Sequence, residues 1–337
     1  MPTLSVTKTH GSRNEIFVID GAPDDLLPAG AVAHAVERLC DRQTGLGGDG
    51  AYFVADRGDG TAQAWFFNPD GSPSLLCGNG MRAVGRLLLD RHGVESAVVH
   101  TGPYAFTVRR AEPTPHGVRQ VVVELPPVDF TPAEPIVAGV EYPFVDEKLS
   151  AYHPYRTVTA VALPNSHLIT VVDAYDESDL VSTGHRVAAD TETFPIGANA
   201  SFILPLKTDG TDGVEEVFVH TFERGAGLTP SCGSGNSASR AALSRLGLVD
   251  PDRPVLVRNP GGPARLLLQE KDGGWQPLLE GNATIVYRTE LDPSCLLGDA
   301  PLKWEEDADP AEAAAFAALY AENAAILQGW GVRPTFL

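Results

Sequence analysis

The chain has 337 residues with 43 % hydrophobic and 20 % charged content, which describes a folded globular protein and excludes a disordered one. Its length is about two domains' worth. A net charge of −19 opposes nucleic acid and anionic membrane surfaces as partners, and no apolar run approaches the ~18 residues of a membrane span. With no secretory-type N-terminus and no C-x-x-C pair among Cys40, Cys77, Cys232 and Cys295, a cytoplasmic protein with free thiols is expected.

In chain order, short β-rich runs separated by turn residues dominate: "NEIFVID", "GAYFVAD", "AQAWFF", "SAVVHT", "RQVVVELP", "TVTAVALP", "HLITVVDA", "ANASFILPL", "EEVFVHTFE", "RPVLVRNP", "ARLLLQE" and "ATIVYRTE". Two helices stand out in the body of the chain. One follows Cys77 in "GMRAVGRLLLDRHG" and the other follows Cys232 in "NSASRAALSRLG", each ending near glycine. Beyond about residue 292 the texture changes, and "DPAEAAAFAALYAENAAILQGW" predicts an alanine-rich amphipathic helix that packs on the body or on a second subunit and carries no chemistry.

The two helical segments superimpose. "CGNGMRAVGRLLLDRHGV" and "CGSGNSASRAALSRLGLV" share C-G-x-G, a helix of similar length, then Gly and Val, with the cysteines 232 − 77 = 155 residues apart. That interval points to an internal duplication whose halves meet in the proline-rich "ELPPVDFTPAEP". Each half presents a cysteine at a helix start, where amide groups favour a thiolate and hold an anion. Alone, Cys232 also reads as a small apolar filler; the pair calls for more. Inverting an α-carbon takes one group to remove the proton from one face and another, still protonated, to deliver a proton to the opposite face. A thiolate and a thiol from two matched halves suit that task, and the amides of Gly78, Asn79, Gly233 and Ser234 suit a substrate carboxylate.

These residues resemble the diaminopimelate epimerase family. "FFNPDGSPSLLCGNGMR" is similar to its N-A-D-G-S-x-x-x-x-C-G-N-G-x-R segment and "FERGAGLTPSCGSGNSA" to its E-R-G-x-G-E-T-x-A-C-G-[ST]-G segment. "KTHGSRNEIFVID", "CDRQTGLGGDG", "LPNSHLIT", "GANASFI" and "NPGG" follow in family order, so the likeness covers about residues 5–291. It implies an α+β fold of two pseudo-symmetric domains, each a mixed, barrel-like sheet around a central helix. The domains would be 1–127 plus 284–300, 128–283, and a helical extension at 301–337. It implies a homodimer acting on a small amino-acid substrate, interconverting LL- and meso-diaminopimelate for lysine and cell-wall precursors, with no cofactor and no metal.

By the same resemblance Cys77 and Cys232 are the acid/base pair, with Glu223 and His167 near the reacting groups. Asn14, Asn68, Asn165, Asn199, Glu223 and Arg224 match substrate-binding positions, beside the amides of Gly78, Asn79, Gly233 and Ser234. Taken singly, Asn68 also fits a turn, Glu223 and Arg224 a surface ion pair, and His167 a core histidine. The departures are Gln43 for His, Gly50 for Gln, Arg13 and Glu15 beside Asn14, Ser166 for Pro in "PNSH", and Leu228 for the second glutamate of E-R-G-x-G-E-T. They leave the two-thiol chemistry intact and open the substrate to alternatives such as histidine or 2,4-diaminobutyrate. A related fold used for non-racemising isomerisation or ligand binding would leave the cysteines inert. The two-thiol reading predicts that mild oxidation joins Cys77 to Cys232 and abolishes activity, that reductant restores it, and that non-reducing mass spectrometry finds the linked peptides.

Overall fold

The computed structural model describes residues 3–208 and 214–336. The chain divides into two compact units, Met1–Val123 with Glu280–Leu319, and Glu124–Leu279 with Tyr320–Leu337. Residues 301–337 are thus shared between them. Among the described residues no helix is long and apolar enough to cross a membrane.

In the first unit the strand order is Thr284–Leu291, Leu4–Gly11, Asn14–Asp20, Ala51–Asp56, Thr61–Phe67, Ser96–Thr101, Tyr104–Ala111 and Gln120–Glu124. Two junctions are parallel, Asn14–Asp20 with Ala51–Asp56 and Thr61–Phe67 with Ser96–Thr101; the rest are antiparallel. The Ala283 N–H donates to the Arg119 carbonyl (3.3 Å), which brings the ends of the run together and curls the sheet on itself. Helix Gly78–His92 runs inside, with Gly78 through Arg86, Leu88 and Leu89 all buried. Its small residues, glycine and alanine, keep it thin enough to be enclosed.

The second unit repeats this order. Thr157–Ala162, Ser166–Val171, Asn199–Thr208, Val214–Glu223, Val255–Asn259 and Gly262–Lys271 pair in sequence, with parallel junctions at the two equivalent places. The segment around Leu125–Asp129 bonds Pro277 and Trp275 on one side and Ala162 on the other, completing the curl. Helix Gly233–Arg245 is buried from Gly233 through Leu243.

More helix is present than the two segments read from the sequence. Val32–Cys40 lies outside the first sheet, burying Ala35, Val36, Leu39 and Cys40. Glu177–Ala189 does the same in the second unit with Leu180, Thr183, Gly184 and Val187, and Asp176 caps it by accepting from the amides of Ser178 and Asp179. These helices are short and amphipathic, and strand runs on either side masked them. Strand Leu4–Gly11 was also hidden, because Thr7, Lys8 and Thr9 break its apolar pattern although all three are buried. Thr9 donates to the Ile16 carbonyl (2.7 Å) and Lys8 pairs with Glu15 (3.2 Å), so their burial is compensated.

The C-terminal helix forms as Pro310–Gly329, but its inner stripe is not the expected apolar face. Glu312, Phe316, Asn323 and Leu327 are its inward positions, and alanines occupy both sides.

Gly50 has a conformational reason to be glycine. Its φ is +149°, and a Cβ there would lie 2.7 Å from the Phe66 ring and 2.8 Å from the Phe67 carbonyl. The side chain that the resemblance leads one to expect at this position has no room. Gly50→Ala is expected to cost about 1–3 kcal/mol through crowding and backbone strain, seen as a Tm several degrees lower by calorimetry.

Candidate active site

Each unit carries one cysteine at a helix start, built on the same device. Cys77 and Cys232 are N-cap residues with nearly identical backbones, φ −121° and ψ 107° against φ −114° and ψ 109°. Each Sγ accepts from the amide of the third residue on, Gly80 at 3.4 Å and Gly235 at 3.3 Å. The thiol takes the place of the serine or aspartate oxygen that commonly caps a helix. Glycine is needed at that third position. A Cβ on Gly80 would lie 2.8 Å from the Tyr52 ring, and one on Gly235 would lie 2.6 Å from Thr221 Oγ1 and 3.3 Å from the sulfur itself. The third amide of each helix is thus taken up by the thiol that caps it.

In the first half-site the Cys77 thiol donates to Asn14 Oδ1 (3.5 Å), which also accepts from Asn79 Nδ2 (3.4 Å). Asn14 Nδ2 donates to Asp49 (3.2 Å), which fixes the amide with its oxygen toward the sulfur. Asp49 is held by Arg42 (2.7 Å) and by the Glu15 amide (2.8 Å). Burial works against charge on Glu15, but Arg42 and Lys8 more than offset it and keep the carboxyl below its ordinary range. Tyr52, which no sequence signal marked, is fully buried; its hydroxyl accepts from the Cys77 amide (2.9 Å) and donates to the Cys77 carbonyl (3.3 Å). Arg82 is also fully buried. Its Nε donates to the Asn282 carbonyl (2.9 Å), and its Nη2 has no hydrogen-bond partner among the described residues. Burial lowers its pKa to about 10, so it stays cationic at neutral pH, and it interacts electrostatically with Cys77. Asn68 is engaged in a turn: its amide donates to the Ser72 carbonyl (2.8 Å) and its Nδ2 to Ser72 Oγ (3.0 Å).

In the second half-site a carboxylate, Glu223, lies at the thiol. Cys232 lies 3.5 Å from Ser234 Oγ, which accepts from Asn165 Nδ2 (3.1 Å). Asn165 Oδ1 in turn lies 3.0 Å from His167 Nε2, which therefore carries the ring proton. Burial lowers the His167 pKa to about 3, so this ring is neutral and orients Asn165. Glu223 bonds the Cys232 thiol, and its Oε1 accepts from Thr229 Oγ1 (2.5 Å). Burial, reinforced by the Glu223 carboxylate, pushes the Cys232 thiol well above its ordinary range, while Ser234 and Gly235 pull weakly the other way. Asn199 is the cross-strand partner of His167 and accepts from the Arg224 amide (2.8 Å); the Arg224 guanidinium bonds the Ile196 carbonyl.

The structure thus brings Cys77, Asn14 and Asn79 together in one unit, and Cys232, Ser234, Asn165, His167 and Glu223 in the other. Tyr52, Arg82 and Thr229 were missed. Arg82 and Thr229 each had a signal, as the arginine of the C-G-N-G-x-R segment and the threonine of the E-R-G-x-G-E-T segment. Leu228 pairs with Phe222 in the sheet and packs against the apolar core of its unit.

The family model for diaminopimelate epimerase matches residues 6–109 and 159–286, which include both cysteine segments. The chain belongs to the diaminopimelate epimerase family. A diaminopimelate epimerase from Listeria welshimeri is 34 % identical over 301 residues, covering 85 % of this chain and 88 % of its own. One from Enterococcus faecalis is 33 % identical over 306 residues, with 88 % and 92 % covered. Solved structures extend the likeness in fold alone. A PhzF-family phenazine biosynthesis protein from Bacillus anthracis matches at TM-score 0.61 and 14 % identity over 87 % of this chain and all of its own. A hydroxyproline epimerase from Agrobacterium vitis matches at TM-score 0.56 and 15 % identity, with 87 % and 92 % covered. As a member of the diaminopimelate epimerase family the chain is an isomerase of the epimerase class, acting on a small molecule.

Since the carboxylate raises the thiol, removing its charge lowers the Cys232 pKa and exposes more thiolate at a given pH. Glu223→Gln is expected to speed alkylation of Cys232 by iodoacetamide at pH 8.5 several-fold, as followed by peptide mass spectrometry.

Proposed function

We propose that this epimerase interconverts LL- and meso-diaminopimelate by a two-base mechanism in which Cys77 and Cys232 serve one α-carbon from opposite faces. The observation that carries the reading is the paired cap: two buried helices, each begun by a cysteine whose sulfur accepts from the third amide. Identity of 34 % to a diaminopimelate epimerase over most of both chains supports the substrate.

In this mechanism the amides of Gly78, Asn79, Gly233 and Ser234 hold the α-carboxylate and take up charge as the carbanion forms. Burial and Glu223 favour the protonated Cys232, so in this mechanism Cys232 starts as the acid and Cys77 takes the part of the base. Asn14 steadies the Cys77 thiol, and Asn165, Asn199 and Arg224 supply amide and guanidinium groups for the distal amino-acid centre. We also propose that the enzyme is a cytoplasmic homodimer, a state that light scattering on the eluting protein measures.

A second reading keeps the chemistry and changes the amino acid. It is favoured by Gly50 and Leu228, where the family's polar residues are replaced. Incubation in D₂O without pyridoxal phosphate separates the two: α-deuterium entering diaminopimelate supports the first, and exchange confined to another amino acid in a panel overturns it. Cys77→Ala and Cys232→Ala are each expected to lower inversion by about 10²–10⁴-fold, the range for loss of a general acid or base. Retained turnover in either variant excludes the two-base mechanism.

A further inference from the structure

The family match ends at residue 286, yet the helix Pro310–Gly329 and the residues after it send polar groups deep into the unit that carries Cys232. Asn323 is 1 % exposed. Its Nδ2 donates to the Asn259 carbonyl (3.0 Å) and its Oδ1 accepts from the Arg258 guanidinium (3.2 Å). Asn259 is a junction. Its Oδ1 accepts from Ser231 Oγ (2.8 Å) and Asn236 Nδ2 (2.7 Å), and its Nδ2 donates to the Val219 carbonyl (2.7 Å) and Asn236 Oδ1 (3.0 Å). The same turn donates from the Gly261 amide to the Pro230 carbonyl (2.8 Å). Ser231 immediately precedes Cys232, and Asn236 is the fourth residue of the helix that Cys232 caps. Both flanks of the thiol therefore rest on Asn259, and Asn259 rests on Asn323.

A second arm reaches the other side of the same thiol. Thr335 bonds Glu177, with its amide donating to Oε2 at 2.9 Å. The Tyr175 hydroxyl lies 3.2 Å from that carboxylate and 2.5 Å from His220 Nδ1, and His220 Nε2 lies 3.2 Å from the Thr229 carbonyl. Thr229 is the residue whose hydroxyl bonds Glu223. Leu327 and Val332 anchor the segment by burying against Leu206 and Phe218.

We propose that the C-terminal segment is a positioning element for the Cys232 half-site and that Asn323 is its positioning residue, a role that rests on the epimerase reading of Cys232. A buried asparagine survives only if both its donor and its acceptor are used, and here one serves the turn backbone and the other Arg258. Leucine at 323 would lose both bonds, whereas aspartate would keep the Arg258 pairing and lose the donor to Asn259.

The test uses the full chain with Asn323→Leu and Asn323→Asp. Two readouts are taken: kcat and KM for α-inversion in D₂O, and the ratio of Cys232 to Cys77 alkylation within one molecule by mass spectrometry. Both variants are expected to raise the Cys232 to Cys77 ratio about fivefold as the loop opens locally. Both are expected to lower kcat about tenfold with KM within twofold, the result of a misplaced acid/base group. An unchanged ratio and unchanged kcat in both variants, with only Tm lowered, overturns the proposal. If the leucine variant does not fold, the aspartate variant decides alone. A wild-type protein that inverts no amino acid, with a labelling ratio that still responds, refutes the epimerase reading and leaves the positioning of Cys232 standing.

Discussion

The arrangement of each half-site depends on one short contact, the hydrogen bond from a helix's third amide to a cysteine sulfur. The third residue of each helix must lack a Cβ, because on Gly80 it would strike the Tyr52 ring and on Gly235 the Thr221 hydroxyl. The surrounding sheet can then close tightly on the helix. Tyr52 packs over Gly80 and bonds Cys77 through both its amide and its carbonyl, while Thr221 lies over Gly235. The thiol is consequently fixed at the positive end of a buried helix.

The duplicated fold supplies equivalent geometry, and the side chains around it make the two thiols chemically unequal. Cys77 has a buried guanidinium and an asparagine oxygen near it, and Cys232 has a carboxylate and nearly complete burial. Symmetric backbones with unequal local surroundings are what the proposed two-base inversion requires, since one group starts without a proton and the other with one. The unit's own strands carry this difference: Arg82 lies on the capped helix, and Glu223 ends the strand that leads into the Cys232 loop.

Much of this was legible in the residues because it is local. The two C-G-x-G segments, their helices and most strands are written in contiguous stretches whose composition fixes their conformation. Tyr52 and Asn323 were not legible, because each acts through partners distant in the chain and looks like ordinary core or surface in its own window. Asn323 is the clearest case. Its helix is rich in alanine on every side, so nothing in its periodicity distinguishes the inward stripe of Glu312, Phe316, Asn323 and Leu327. Asn68 shows the reverse, a position singled out by motif whose bonds to Ser72 define a turn. Gly50, a departure from the family's glutamine, is held by its φ and the nearby Phe66 ring.

Leu228 gives sequence change in this lineage a direction. Where the family motif has a glutamate, this chain has a leucine whose side chain joins the apolar cluster that includes Phe222 and Tyr175. A glutamate at this half-buried position would set its carboxylate against that cluster and lose the packing of the leucine. A single reversion is therefore uphill. Position 228 thus ties the loop that leads to Cys232 to the apolar core of its own unit, and its side chain answers to packing.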